Sequence, residues 1–488
     1  MKKITVDPIT RLEGHGKFDI FLNDSGEVEN VYFQIPELRG IEKFCEGRPV
    51  EELPRITQRA CGVCPGPHHM AGTKACDGVY SVDPPRAAKK LRELFLSAHF
   101  IHSHIAHFYA LAAPDFVCGP ASDPAQRHIL GVVAKVGLEV GGAVIKARSQ
   151  AQRIQAIIGG KSTHAVCGLP GGMSKALTNK DEIAEIKKHC TELVEFGKFT
   201  LKLFDDVVLA NKTYVDIILN GPYTMRTYYM GMVDDQGRVN FYDGKLRIID
   251  PDGKQWALFD PRNYLEYIEE HVEAWSYLKF PFLKSFGWKG LNSGNDYGIY
   301  RVAPLARLNV AQGMATPIAH EAFQKYFSVL GKGPVHATLA NHWARVIELM
   351  YAAERSLELI NDPETTSAEV RTIPTATPNE GVGVIEAPRG TLFHHYKTDE
   401  KGFVTRCNML VATGNNNAAI CMSVRDAARG LIKPGVSAIS EGTLNMIEMA
   451  FRAYDPCFGC ATHNLPGQMP MEVTVHGPDG KVVSRLGR

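Results

Sequence analysis

Arg59-Ala60-Cys61-Gly62-Val63-Cys64-Pro65-Gly66-Pro67-His68-His69 near one end of the chain and Asp455-Pro456-Cys457-Phe458-Gly459-Cys460-Ala461-Thr462-His463 near the other each hold a C-x-x-C pair. The two-residue spacer lets both thiols of a pair point into one concave site, so the two turns offer four soft ligands. A fold that joins them must return the end of the chain onto its beginning. From spacing alone the leading expectation is a structural zinc in a four-cysteine shell. An iron–sulfur cluster or another transition metal comes next, and unligated thiols last. The other seven cysteines (Cys45, Cys76, Cys118, Cys167, Cys190, Cys407 and Cys421) stand singly and read as small buried hydrophobes. Eleven cysteines in 488 residues are too few for a disulfide scaffold.

Outward from these turns the pattern mixes both periods. Ile4–Val6, Lys17–Leu22 and Val28–Ile35 read as strands, the last two flanking the turn Asn23-Asp24-Ser25-Gly26. Helical spacing covers Pro85–Leu111, Asp123–Ile158 and Lys180–Leu209, then Pro317–Leu330, His336–Leu359, Val424–Ile432 and Glu441–Tyr454. Tyr229–Asp260 alternates around two Gly-containing turns, and Met471–His476 with Lys481–Leu486 reads as a closing hairpin. The expected class is α+β: a large helix-rich core with an N-terminal β region, a small β-hairpin insertion and a C-terminal hairpin. No repeat or linker divides the chain, so residues 1–488 are expected to form one intertwined domain. Within it lie a β region with the first C-x-x-C (1–84), a helical stretch (85–226) and the β insertion (227–262). A second helical stretch carries the other C-x-x-C (263–463), and a C-terminal extension (464–488) follows.

Composition excludes several classes. Apolar residues make up 44% and charged residues 22%, and 54 basic against 53 acidic residues leave a net charge of +1. No basic block suggests nucleic acid, and no run of eighteen apolar residues suggests a membrane span. The N-terminus meets Asp7 too soon for a secretory core, so a cytoplasmic chain is expected. No G-x-x-x-x-G-K-[ST] or G-x-G-x-x-G offers a phosphate cradle, and His320-Glu321 lacks the second histidine of a zincin.

The flanking residues outweigh the spacing. R-x-C-G-x-C-P-x-x-H with D-P-C-x-x-C-x-x-H resembles the nickel–iron hydrogenase large subunit, and neither half is a zinc-ribbon signature. Arg11-Leu12-Glu13-Gly14-His15, Arg39-Gly40-Ile41-Glu42, Gly159-Gly160-Lys161, Pro170-Gly171-Gly172, Glu386-Ala387-Pro388-Arg389-Gly390 and Val411-Ala412-Thr413 extend the resemblance along the chain.

The resemblance implies that Cys61 and Cys457 are terminal nickel ligands. Cys64 and Cys460 would bridge nickel to an iron carrying CO and two cyanides. It implies Cys457 as first proton acceptor, with Glu13 next on the way outward. Arg389 would hang over the open face, paired with Asp455 and Asp115. Pro388, Ala412 and Thr413 would line the iron's diatomic ligands, Thr413 donating to a cyanide. His68 would sit beside a bridging sulfur, its alternative being a core histidine satisfied by a carbonyl. Glu42 and His463 would hold magnesium or ferrous iron. His99, His102, His104 and His107 share one helix and read as core or proton-relay residues rather than metal ligands.

Ala412-Thr413-Gly414-Asn415-Asn416 and the C-A-T-H ending are similar to the cofactor-coupled, soluble members rather than the periplasmic ones. The implied function is reversible H2 cleavage. Electrons would pass to an iron–sulfur small subunit, through further flavin or iron–sulfur subunits, to NAD(P), ferredoxin or another soluble acceptor. Cleavage after His463 would remove Asn464–Arg488 on maturation. Two other readings are an H2-sensing regulator and a non-catalytic four-cysteine zinc scaffold related to a respiratory complex I subunit; relatives of the latter lack the cysteine pairs.

Overall fold

The N-terminal strands form an antiparallel meander, Lys2–Val6 beside Lys17–Leu22 beside Val28–Gln34, whose inward face carries Phe18, Ile20, Val31 and Phe33. The computed structural model describes residues 2–37, 39–434, 439–462, 472–476 and 482–487. Phe33 packs against Phe451 and Phe458, with ring centroids 5.8 and 5.3 Å away, and so draws the second C-x-x-C onto this sheet. Burying each such ring contributes about 1.5–3 kcal/mol, enough together to hold the returning segment in place.

The centre is helical. Asn341–Asn361 is buried on nearly every side and packs against Arg86–Ala106, Lys180–Phe204 and Pro317–Leu330. Leu138–Gly159 closes over Arg86–Ala106 and Lys180–Phe204. Asn179 starts the helix Lys180–Phe204 by accepting from the Asp181 and Glu182 amides. The single helix expected over 123–158 is broken: Ile129–Val136 and Leu138–Gly159 are separated by Gly137 at φ +92°. Among the described residues no helix is long and apolar enough to cross a membrane.

Tyr228–Val233, Lys245–Ile249 and Gln255–Phe259 form the inserted antiparallel sheet, with Tyr300–Arg301 added in parallel at its edge. The stretch expected to be helical over 263–463 contains β structure as well. Ile268–Val272 pairs with Lys279–Leu283, and Glu380–Ala387, Gly390–Thr398 and Val404–Leu410 form an antiparallel meander. Its first strand lies directly on the helix Pro65–Val79 that follows the first C-x-x-C. A Cβ at Gly383 would lie 2.0 Å from the Ala71 carbonyl oxygen, so this approach requires glycine. Near the C-terminus Glu472–His476 pairs antiparallel with Val482–Gly487.

Candidate metal centre

Each C-x-x-C is a turn entering a helix. Cys61 ends the 3-10 turn Thr57–Ala60, and Cys64 precedes the helix Pro65–Val79, whose Pro65 and Pro67 suit a first turn without intrahelical donors. Cys457 precedes the short helix Phe458–Ala461, reached from Glu441–Arg452 through Asp455 at φ +54°. The four sulfurs converge. Cys61 Sγ lies 2.7 Å from Cys64 and 3.1 Å from Cys457, while Cys460 Sγ lies 3.3 Å from Cys64 and 3.1 Å from Cys457. All four side chains are buried, not joined in disulfides, and within 4.8 Å of one another. No other His, Cys, Asp or Glu group among the described residues has this geometry.

Burial would raise every thiol. Cys61 is nevertheless held well below the ordinary range, because Cys457, Cys460 and Cys64 donate towards it and the Arg389 guanidinium lies near. Burial pushes Cys64 up, and Cys457 and Cys460 well up. The protein alone thus favours one thiolate beside one guanidinium. Full deprotonation of four buried sulfurs needs additional positive charge of a soft kind, which a bound transition metal would supply.

Glu13 reaches the second pair from the N-terminal loop. Its Oε2 accepts from Cys457 Sγ at 2.9 Å and from the Gly459 amide at 3.0 Å. Its backbone donates to Pro456 O and accepts from the Phe458 amide. Burial, then the Cys61 charge, raise its carboxyl pKa. Gly14 follows at φ +89°, where a Cβ would stand 2.9 Å from the Gly459 nitrogen.

Arg389 occupies the tight turn after Ala387, with 4% of its side chain exposed. It donates to Asp455 Oδ1 at 2.9 Å and to Ser103 Oγ at 3.3 Å. Burial raises the Asp455 carboxyl, and Arg389 opposes that shift. Thr413 Oγ1 accepts from the Cys457 amide at 3.0 Å, so it braces the ligand turn. Ala412 is buried beside it, and the Pro388 carbonyl accepts from Arg307 at 3.3 Å.

The expected partnership of Asp115 with Arg389 does not form. Asp115 accepts instead from Arg11 at 2.5 Å, Arg452 at 2.9 Å and Asn445 at 2.9 Å, which engage both of its oxygens. His68 is buried and joined through Nδ1 to His394 Nε2 at 3.0 Å. Glu42 accepts from the Met409 amide, and the Arg39 amide donates to Thr462 O at 2.9 Å. His463 lies outside the described residues. The four clustered histidines go separate ways: His99 to Gln155, His102 to Arg148, His104 to Glu348 and His107 to the Arg452 carbonyl.

Sequence reasoning missed the buried ion network behind the site. Arg307 binds Glu348 and Glu386, all fully buried, and donates to the Ala387 and Pro388 carbonyls that set the Arg389 turn. Arg345, also buried, donates to the Ala453 carbonyl ahead of Asp455. Their one sequence signal is a set of charges on helix and strand segments otherwise packed with apolar residues.

The family model described as nickel-dependent hydrogenase matches residues 39–125 and 143–463, and a second, described as HoxL-like, matches residues 3–38. The chain belongs to the nickel-dependent hydrogenase family. It is 48% identical over 486 residues to an iron-sulfur subunit of the F420-non-reducing hydrogenase of Archaeoglobus profundus, covering 100% of this chain and 99% of the relative. It is 36% identical over 500 residues to the NAD-reducing hydrogenase HoxS subunit beta of Cupriavidus necator, covering all of both. A solved NAD+-reducing [NiFe]-hydrogenase in the H2-reduced state superposes with TM-score 0.89 at 36% identity over 95% of this chain and 100% of that one. The chain is therefore a hydrogenase subunit with the large-subunit fold and an oxidoreductase acting on H2, and its four converging cysteines support a nickel–iron centre. The zinc expected from spacing alone gives way to this assignment.

Proposed function

We propose that Cys61, Cys64, Cys457 and Cys460 hold a nickel–iron pair, and that Cys457 and Glu13 carry the first proton away from it. The 2.9 Å contact between Cys457 Sγ and Glu13 Oε2 carries this reading. When bound, the bimetallic centre supplies the electrophile for H2 and accepts its electron pair. H2 is a very weak acid, so its cleavage into two protons and two electrons needs a base within hydrogen-bond reach. Cys457 Sγ takes the first proton, and Glu13, with its raised pKa, accepts it in turn. Arg389 keeps a fixed positive charge beside the sulfurs, in a place walled off from water by Ser103, Asp455 and Thr413. Cys457 and Cys61 would serve as terminal ligands and Cys64 and Cys460 as bridging ones, and Pro388, Ala412 and Thr413 would line the side that receives the iron's CO and cyanide ligands. Glu42 and His463 hold a magnesium ion, and processing after His463 removes the last 25 residues.

The electrons leave through an iron–sulfur small subunit. No second cysteine cluster exists among the described residues, and the relatives are named as subunits of larger hydrogenases. The acceptor beyond that is NAD(P), ferredoxin or another soluble carrier; the 48% identity to an F420-non-reducing relative favours one other than F420. Metal analysis with infrared spectroscopy of the purified complex tests the centre. Nickel and iron with one CO and two cyanide bands are expected. Zinc alone with no such bands overturns it.

A further inference from the structure

Arg11 adopts φ +59°, a left-handed conformation that is strained for a bulky residue and so needs an external restraint. The restraint is visible. Its guanidinium donates to the Leu111 carbonyl at 2.9 Å, to Asn445 Oδ1 at 2.8 Å and to Asp115 Oδ1 at 2.5 Å. The same Asp115 carboxylate accepts from Arg452 at 2.9 Å through Oδ2. Arg452 also binds Glu448, while Thr10 donates to Glu448 at 2.8 Å.

Two segments meet on this one carboxylate. Arg11 lies two residues before Glu13 in the loop that carries the proton acceptor. Arg452 ends the helix Glu441–Arg452, five residues before Cys457. Arg11 and Arg452 repel each other: burial and then the Arg452 charge lower the Arg11 pKa, and Asp115 opposes both. Asp115 has 2% of its side chain exposed, so water cannot replace it as the counter-ion. On the other side the loop is docked on the cysteine turn by the Phe458 and Gly459 amides.

We propose that Asp115 is a positioning residue: by binding Arg11 and Arg452 with one carboxylate, it fixes the loop carrying Glu13 against the turn carrying Cys457. The inference rests on the proton-acceptor reading of Glu13. Displacing a reacting group by about 1 Å can cost on the order of 100-fold, so loosening this clamp slows proton transfer without touching either acid.

The test uses the purified multisubunit complex carrying Asp115→Asn, with Glu13→Gln alongside. Amide deuteration by mass spectrometry reads the loop 10–16, and H2/D2O isotope exchange reads proton transfer. Asp115→Asn is expected to keep its nickel and its KM for H2, to deuterate residues 10–16 at least fivefold faster, and to exchange isotopes at least tenfold more slowly. Asn445→Ala, which removes one uncharged arm of the clamp, is expected to show the same pair of changes at about threefold, and stands in if Asp115→Asn does not assemble. Unchanged deuteration, or unchanged isotope exchange with a loosened loop, overturns the inference. Undiminished exchange in Glu13→Gln overturns the Glu13 reading and this inference with it; a slowed Glu13→Gln beside a normal Asp115→Asn overturns this inference alone.

Discussion

Glu13→Gln separates proton transfer from every other property of the site. Glutamine has the same length, and its carbonyl oxygen can keep the bond from the Gly459 amide now 3.0 Å from Oε2. The backbone bonds to Pro456 and Phe458 do not depend on the side chain. The carboxyl it replaces already has a pKa raised chiefly by burial, so removing its charge costs the fold about 1 kcal/mol or less. What disappears is a base 2.9 Å from Cys457 Sγ, because an amide oxygen can accept a hydrogen bond but takes up no proton near neutral pH. General acid–base groups contribute about 100- to 10,000-fold, or about 3–5 kcal/mol at 1.36 kcal/mol per decade. The assay is H2/D2O exchange by membrane-inlet mass spectrometry on the complex, with nickel content measured in the same sample. A variant that holds its nickel and exchanges within threefold of the parent refutes the assignment of Glu13.

Other perturbations reach the same architecture from different sides. In Gly459→Ala the new Cβ would stand 2.6 Å from Glu13 Oε1. The carboxylate is pushed off Cys457, and isotope exchange drops at least tenfold with KM for H2 unchanged. Arg389→Met strands the buried Asp455 carboxylate and destabilises the chain by about 3–5 kcal/mol in chemical denaturation. Adding Asp455→Asn recovers most of that loss, and no recovery means the pair is not the source. His99 and His104, fully buried, are held at about 4, mainly by burial, below the ordinary histidine value of about 6.5. The unfolded chain therefore gains protons first as pH falls. Stability is level above about pH 6.5 and declines towards pH 4, by up to about 1.4 kcal/mol per pH unit for each group. Urea midpoints between pH 7.5 and 5 check this, and a flat profile contradicts it.

The cysteine turns and Glu13 were legible in sequence because their chemistry is local: two residues fix a thiol pair, and a short motif fixes the loop that meets it. The strands over 380–410 were not. That stretch lies in the part expected to be helical, yet Gly381 and Gly383 sit in a strand because the helix Pro65–Val79 comes too close for any side chain. A period count sees the missing side chains and not the helix that excludes them. The buried ions fail for a related reason. Arg345 and Glu348 lie in the stretch 343–353 of the helix Asn341–Asn361, whose other residues are apolar, and periodicity assigns charges to solvent, whereas here they hold the Arg389 turn and the approach to Asp455 from behind. Asp115 shows where resemblance alone stops. Resemblance placed this acid near the site and paired it with Arg389, although other arginines converge there. In the fold Arg389 is taken by Asp455, and the arginines within reach of Asp115 are Arg11 and Arg452, so the carboxylate bonds to them. Its function then follows from what those two carry, Glu13 on one side and Cys457 on the other.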